Sequence, residues 1–319
     1  MARTIEESQF RPKNKVIVGI ATYKRPMMLE ECLKSLVRID KPQNVAVEVV
    51  VVDNDPMGSA KAVIDTISAD SPFPMHYLTE KKRGIPFARN TIVKKALELD
   101  ATEIAFIDDD EAVDGRWLKK LYEFYKENSC DAVAAPVEPI LPENTPKWMR
   151  KTRYFSRKIE KSGTQIGCAS TRNVLFSIEI FTKYKLRFDT RFALTGGTDT
   201  LLTKQLSLLG GKILWLDDVL VKERIPETRA SQRWLLKRSL RRRINDVKFD
   251  LILRGKGYTL FFSYLSFFKN LLFGLGYFPL SLFDKYYYYF SLECFVNACA
   301  IVLGLSGYSY NEYKRVHGG

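Results

Sequence analysis

Over its first two thirds the chain alternates between two hydrophobic periods. Short apolar runs rich in β-branched residues predict strands, and apolar residues spaced three and four apart predict helices. Val16–Ala21 is such a run and ends in the polar Thr22–Arg25. Pro26 suits a first helical turn, and Leu29, Cys32, Leu33 and Leu36 then share one face. Val45–Val52 has the character of a strand buried on both faces, and it stops at the turn sequence Asp53-Asn54-Asp55-Pro56. A helix at Ala60–Ile67, a strand at Met75–Leu78, a helix at Pro86–Leu99 and a strand at Glu103–Ile107 follow. That last strand runs straight into Asp108-Asp109-Asp110-Glu111. An amphipathic helix over Asp114–Asn128 and a strand over Asp131–Pro136 come next. Strand, helix, strand with short connections predicts a parallel sheet covered on both faces. Ligands of such sheets sit beyond the carboxyl ends of the strands, and both acidic clusters fall at such ends.

From Glu138 to Ile166 the pattern loosens around Pro139, Pro142, Pro146 and Trp148, which predicts a long functional loop. Asn173–Ser177 resumes as a strand. Phe188–Thr200 holds a Gly-Gly pair and Asp199, and a Leu-rich helix runs on to Leu209, closed by Gly210-Gly211. Lys212–Leu216 and Val219–Val221 predict short strands. After Arg229 the character changes. Gln232–Lys248 predicts a helix with Leu236, Leu240, Ile244 and Val247 on one face and an Arg cluster elsewhere. Tyr258–Phe283 then carries one charge, Lys269, and Tyr286–Leu305 carries one, Glu293.

Composition narrows the class. With 46% apolar and 27% charged residues the 319-residue chain has the balance of a globular protein. The five Cys are scattered without CxxC spacing, which points to a reducing compartment and away from a disulfide frame or zinc. Only His76 and His317 could serve a His-based metal centre. Met1–Lys15 is polar and lacks the apolar core of a signal peptide, so the expectation is a cytoplasmic catalytic part. The net charge is +13, and Ser231–Gly319 holds 13 Lys/Arg against 5 Asp/Glu. Basic residues flanking apolar segments favour an anionic membrane surface over nucleic acid.

Three consecutive Asp at a strand end repel one another unless a cation joins them. An Asp triplet alone is as often a solvated acidic turn. The apolar strand before it and the second acidic strand end at Asp53 favour a site. Oxygen-only ligands suit Mg²⁺ or Mn²⁺, which share a substrate diphosphate.

Six motifs occur in order: VIVGIATYKRP at Val16–Pro26, VVVDND at Val50–Asp55, RGIPFARN at Arg83–Asn90, FIDDDE at Phe106–Glu111, RFDTRFALTGGTDT at Arg187–Thr200 and RIPETRASQRWLLKR at Arg224–Arg238. On these the chain resembles the family 2 inverting glycosyltransferases that build bacterial surface polysaccharides, over about Val16 to Arg243. The resemblance implies a GT-A fold, a Rossmann-like and mostly parallel α/β sheet, over residues 16–230. A tail at 1–15 would precede it, and a basic, apolar helical region at 231–319, membrane-associated, would follow. Thr22, Tyr23 and Arg25 would border the nucleotide base, and Asp53 and Asp55 would end the second strand beside it, Asp53 hydrogen-bonding a uracil-like imide. Gly84, Arg89 and Asn90 would pack near base and ribose, and Asp108 and Asp109 would face ribose and diphosphate. Asp110 would ligate Mn²⁺ or Mg²⁺, and Asp199 would be the catalytic base beside Gly197. Arg229, Arg233 and Trp234 are phosphate or acceptor candidates. The donor implied is a UDP-sugar, and the acceptor a hydroxyl of a saccharide or a polyprenyl-linked saccharide.

Two departures matter. Thr198 stands where the family usually has Glu before the base. Ala230 stands where the processive Gln-x-x-Arg-Trp motif has Gln, which implies one sugar per cycle. Two alternatives remain at this stage. A sugar-nucleotidyltransferase would need a Gly-rich phosphate loop, and Gly19 alone does not make one. A membrane scaffold with a degenerate transferase domain would not need the retained carboxylates. The two apolar segments are each long enough to cross a bilayer. Central Lys269, the breaks at Gly274, Gly276 and Pro279, and the short Asp284-Lys285 link predict shallow or re-entrant helices on the cytoplasmic face instead. The alternative there is a soluble helical cap.

Overall fold

The computed structural model describes residues 14–156 and 159–310. Most of the N-terminal tail, His317 and the last residues of the C-terminal region lie outside the described residues. In chain order the elements are β1 (Asn14–Thr22), α1 (Pro26–Leu36), β2 (Val45–Asp53), α2 (Lys61–Ala69), β3 (Met75–Thr79), α3 (Ile85–Glu98), β4 (Glu103–Asp108), β5 (Glu111–Val113) and α4 (Trp117–Glu127). Then follow β6 (Ala132–Ala134), β7 (Val137–Ile140), α5 (Lys147–Arg150), β8 (Asn173–Ser177), α6 (Glu179–Thr182), α7 (Thr198–Leu208), β9 (Ile213–Trp215) and β10 (Val221–Arg224). Two long helices, α8 (Gln232–Tyr277) and α9 (Lys285–Leu305), complete the chain.

Seven strands form one sheet in the order β3-β2-β1-β4-β8-β6-β9. All its pairings are parallel except those of β8, which runs antiparallel between β4 and β6. Successive residues of β1 feed opposite layers. Val16, Val18 and Ile20 join Leu29, Leu33 and Trp117 on one face, and Ile17 joins Ile92, Phe106 and Phe176 on the other. That two-sided burial is why β1 and β2 read as continuous apolar runs. Each fully buried Leu, Ile or Phe contributes about 1.5–3 kcal/mol relative to exposure.

A second sheet of three strands, β5-β10-β7, was not expected. Glu111, read as the end of the acidic turn, instead opens β5, which pairs antiparallel with β10. The stretch expected as one long loop contributes β7, parallel to β10, and α5. Pro139 sits on an edge strand and Pro146 at a helix entry, where a missing N–H costs little.

The C-terminal region departs further from expectation. Gly274 and Gly276 do not interrupt the helix, which continues to Tyr277. Gly274 instead lets α9 approach closely, since a Cβ there would lie 2.9 Å from the Phe295 ring. The break falls at Gly255, with φ +82° and ψ 174°. The two arms of α8 fold back on each other there, and Arg243 hydrogen-bonds Ser266 across the hairpin. Helix α9 packs against both arms, with Ser291 donating to the Gly274 carbonyl and Glu293 accepting from Ser239. Among the described residues α9 is the helix long and apolar enough to cross a membrane by length and composition.

Candidate active site

Strands β1, β2 and β4 end in register. Thr22 lies opposite Asp53, and Ala21 opposite Asp108, so three polar side chains line one rim of the sheet. Asp53 is fully buried there. Its Oδ1 accepts from Asp55 N at 2.9 Å, and its Oδ2 from Ala60 N at 2.8 Å and Tyr77 Oη at 3.1 Å. Both oxygens are thus spent on the turn into α2. Asp55 is also buried and accepts from Met57 N. Asn54, passed over in the sequence, fastens the next loop. Its amide donates to Glu80 O and Lys82 O at 2.9 and 2.8 Å and accepts from Gly84 N at 2.7 Å. Lys24 takes a left-handed φ of +54°, which turns the chain after Tyr23 and swings Arg25 back over the sheet rim.

Arg25 reaches the acidic turn. Its Nη1 lies 3.2 Å from Asp109 Oδ1 and 3.3 Å from Asp110 Oδ2. Thr22 Oγ1 donates to Asp109 Oδ2 at 2.8 Å. Arg89 donates to Asp108 Oδ1 at 2.9 Å, and Glu111 Oε2 accepts from Asp108 N. Burial dominates the electrostatics of this turn. It pushes the Asp109 carboxyl up to about 7, with Asp110 adding to the rise and Arg25 opposing it. The Asp108 carboxyl is also raised, first by burial, with Asp110 and Asp199 contributing and Arg89 opposing. Burial pushes Glu111 well above the usual carboxylate range, and its Oε1 has no hydrogen-bond partner among the described residues.

Asp199 comes from the other side of the rim, in the first turn of α7. Asn245 of α8 donates to the carbonyls of Thr195 and Gly196 at 3.3 and 2.9 Å and so holds the turn before Asp199. Gly197 lies at the N-terminus of α7 under Phe249. Asn90 does not face outward. Its amide donates to Phe188 O at 2.8 Å and accepts from Phe188 N at 3.0 Å, clamping the segment that leads to Asp199.

Of the basic candidates, Arg229 joins the cluster, 3.5 Å from Asp110 Oδ2 and 3.3 Å from Glu223 Oε1. Arg233 is exposed on the first turn of α8. Trp234 stacks edge-on with Tyr154 at 5.0 Å between centroids, and Arg238 lies over both rings. Two residues, buried Glu223 and half-buried Arg172, were missed in the sequence. Glu223 of β10, opposite Glu111, holds Arg172 at 2.5 Å as well as Arg229. Burial opposes the charge of Arg172, yet Glu223 and Glu111 outweigh it and keep the guanidinium protonated. Along Val221–Arg224 buried and exposed residues alternate, which puts Glu223 inward, and a charged residue at an inward strand position was the one available signal.

The donor set fits a hard divalent cation that brings its own oxygen ligands. Among the described residues no three His, Cys, Asp or Glu side chains converge on a point. The protein would supply one or two carboxylates, and a diphosphate and water the rest, as Mg²⁺ and Mn²⁺ sites commonly do.

Residues 17–185 match the family described as glycosyl transferase family 2. The succinoglycan biosynthesis protein ExoM of Rhizobium meliloti (strain 1021) is 32% identical over 224 residues, spanning 70% of this chain and 71% of ExoM. Two solved structures share the fold. The mannosyltransferase PcManGT from Pyrobaculum calidifontis, in complex with GDP-Man and Mn²⁺, superposes with a TM-score of 0.63 at 18% identity, covering 92% of this chain and 88% of that one. S. aureus TarS 1–349 in complex with UDP-GlcNAc gives 0.54 at 15% identity, with 93% of each chain covered. With a GT-A sheet, an acidic turn at its rim and a family match over most of the catalytic region, the chain belongs to glycosyltransferase family 2.

Proposed function

We propose that this glycosyltransferase moves a single sugar, with inversion, from a nucleotide-diphosphate sugar, a UDP-sugar, to a hydroxyl of a saccharide or polyprenyl-linked saccharide in polysaccharide biosynthesis. The observation that carries the reading is the Asp108–Asp110 turn at the sheet rim, with the segment that leads to Asp199 held beside that rim by the Asn90 clamp on Phe188 and by Gly84 against Ala193. Asp199, at the mouth of α7, takes the proton from the acceptor hydroxyl as the new glycosidic bond forms. Asp110 would hold the divalent cation, whose chemistry when bound would be to offset negative charge on the departing diphosphate. Thr22, Tyr23, Arg25, Gly84 and Arg89 border the nucleotide, and Asp108 and Asp109 face its ribose and diphosphate. Asp53 and Asp55 serve the base-binding wall through the turn they organise, and Asn90 through its clamp on Phe188. Gly197 and Trp234 border the acceptor side, with Arg233 at its solvent edge. ExoM, a succinoglycan biosynthesis protein, supports the polysaccharide context, and the UDP-GlcNAc and GDP-Man complexes support a sugar-nucleotide donor.

The division into a catalytic domain at 16–230 and a helical region at 231–319 belongs to the same proposal. The helical region rests on the cytoplasmic face of the inner membrane. Supporting this, Phe261, Tyr264, Leu272 and Leu275 on the second arm of α8, with Leu282 and Phe283 after it, are exposed, Phe283 at 84%. Exposed Lys269 lies over the Phe273 ring at 5.6 Å, a posture from which its ammonium reaches headgroups. The function is tested by incubating the protein with a panel of UDP- and GDP-sugars, Mn²⁺ and saccharide acceptors. Nucleoside diphosphate release and an inverted anomeric configuration by NMR are expected. Release of pyrophosphate, or retention of configuration, overturns the reading.

A further inference from the structure

Asp110 Oδ2 is the oxygen the proposed function gives to a divalent cation, and two guanidinium groups face it. Arg25 Nη1 lies 3.3 Å away and Arg229 Nη1 3.5 Å away. Arg25 is tied down by its second carboxylate, Asp109. Arg229 differs, since it sits on a short 3-10 turn, Glu227–Arg229, between β10 and α8. Its other partner is Glu223, whose second oxygen is fixed by the half-buried Arg172. Glu223 is 5% exposed and held in the three-stranded sheet opposite Glu111. Glu223 is therefore a rigid post, and Arg229 reaches from it to Asp110.

A bare divalent cation approaching Asp110 meets two positive charges within a few ångströms, and at such range like-charge repulsion is large. A nucleoside diphosphate arriving with the cation changes the sign of the problem. Its negative oxygens accept the guanidinium that the cation displaces, and Arg is suited to phosphate. We propose that Arg229 competes with the divalent cation for Asp110 and passes to the donor diphosphate when cation and donor bind together, with Glu223 as its positioning residue. The consequence is cooperative binding. The cation binds weakly alone and tightly with nucleotide, which protects the acidic turn from binding metal without substrate. This inference rests on the donor and metal reading above.

The test follows Mn²⁺ binding to the full-length protein by the loss of the free Mn²⁺ EPR signal, alone and with UDP or GDP. Arg229→Gln should tighten binding of Mn²⁺ alone by about tenfold and reduce the tightening that nucleotide produces by about fivefold or more, the usual range of coupling between sites. Arg229→Lys keeps a cation on the post and should lie near wild type, which also controls for folding. Glu223→Gln should shift Mn²⁺ binding in the same direction as Arg229→Gln, and in the Arg229→Gln background it should add nothing. Unchanged or weakened Mn²⁺ binding in Arg229→Gln overturns the competition, and additive effects overturn the role of Glu223. Should neither nucleotide tighten Mn²⁺ binding to wild type, the donor reading fails, while the Mn²⁺-alone comparison still decides whether Arg229 competes at Asp110.

Discussion

Gly84→Ala isolates the contact that brings the two halves of the site together. Gly84 has φ +136° and ψ 139°, a region that residues with a Cβ reach only under strain. A Cβ there would lie 2.6 Å from Ala193 Cβ and 3.1 Å from Ala193 Cα and O. The loop cannot swing away freely, because Asn54 holds Gly84 N, Glu80 O and Lys82 O. Ala193 belongs to the segment that leads to Asp199. The backbone strain costs about 1–3 kcal/mol, and forced overpacking adds about 1–3 kcal/mol. Relief requires the segment before Asp199 to move, and a displacement near 1 Å lowers turnover by about a hundredfold. Gly163 supplies the control. It has φ +84°, yet an added Cβ meets nothing within 4 Å. Gly163→Ala should cost about 1–2 kcal/mol and leave turnover intact. Urea unfolding reads the stability of both variants, and nucleoside diphosphate release reads turnover. The reasoning is refuted if Gly84→Ala loses no more stability than Gly163→Ala and turns over like wild type.

Asp110→Ala should lower transfer by about a thousandfold or more without unfolding the protein, and full activity of wild type in EDTA would remove the metal from the scheme. Asp199→Asn should reduce turnover by about a hundredfold to ten-thousandfold with UDP affinity nearly unchanged, as befits a base acting in the transition state; collapse of affinity with turnover intact would make Asp199 a binding residue. Folded, Asp109 keeps its proton to about pH 7, well above its ordinary value of 3.8, so its contribution to stability is present at acid pH and is lost as pH rises through about 7. The melting temperature of wild type should therefore fall more steeply between pH 5 and pH 7.5 than that of Asp109→Asn, and parallel slopes would contradict the assignment. The paired substitutions Leu272→Asp and Leu275→Asp should weaken capture by anionic vesicles, and wild-type protein that ignores such vesicles at low salt would end the membrane proposal.

The parallel half of the fold was legible because β1, β2 and β4 are largely buried on both faces and each ends in a polar residue. Val16–Ala21 into Thr22, Val45–Val52 into Asp53 and Glu103–Ile107 into Asp108 say where the rim lies. The three-stranded sheet was not legible, because Glu111–Val113 and Val221–Arg224 are short, carry charge, and find each other only across a long separation. Charged Arg172 and Glu223 look like surface residues until their pairing is seen, and Glu223 can be buried because Arg172 neutralises it. The hairpin of α8 turns at Gly255, between Arg254 and Lys256, where nothing apolar marks a boundary. Gly274 suggested a break, yet it serves close packing against α9, a use that depends on a helix later in the chain.

The acidic turn is followed at once by β5, whose partner β10 lies at the far end of the catalytic region. A ribosome therefore releases Asp108–Asp110 long before the strand that fixes the turn has been made. During that interval the growing chain can pair β1 to β4, all of which have already been made, while the turn lacks Glu223 and Arg229. Sheet pairing between distant segments forms late because loop closure must come first. The nascent enzyme thus gains its chemistry only after β10 has emerged, and Asn245 of α8 secures the turn before Asp199 later still. Catalytic competence arrives at about the same point in synthesis as the helices proposed to meet the membrane.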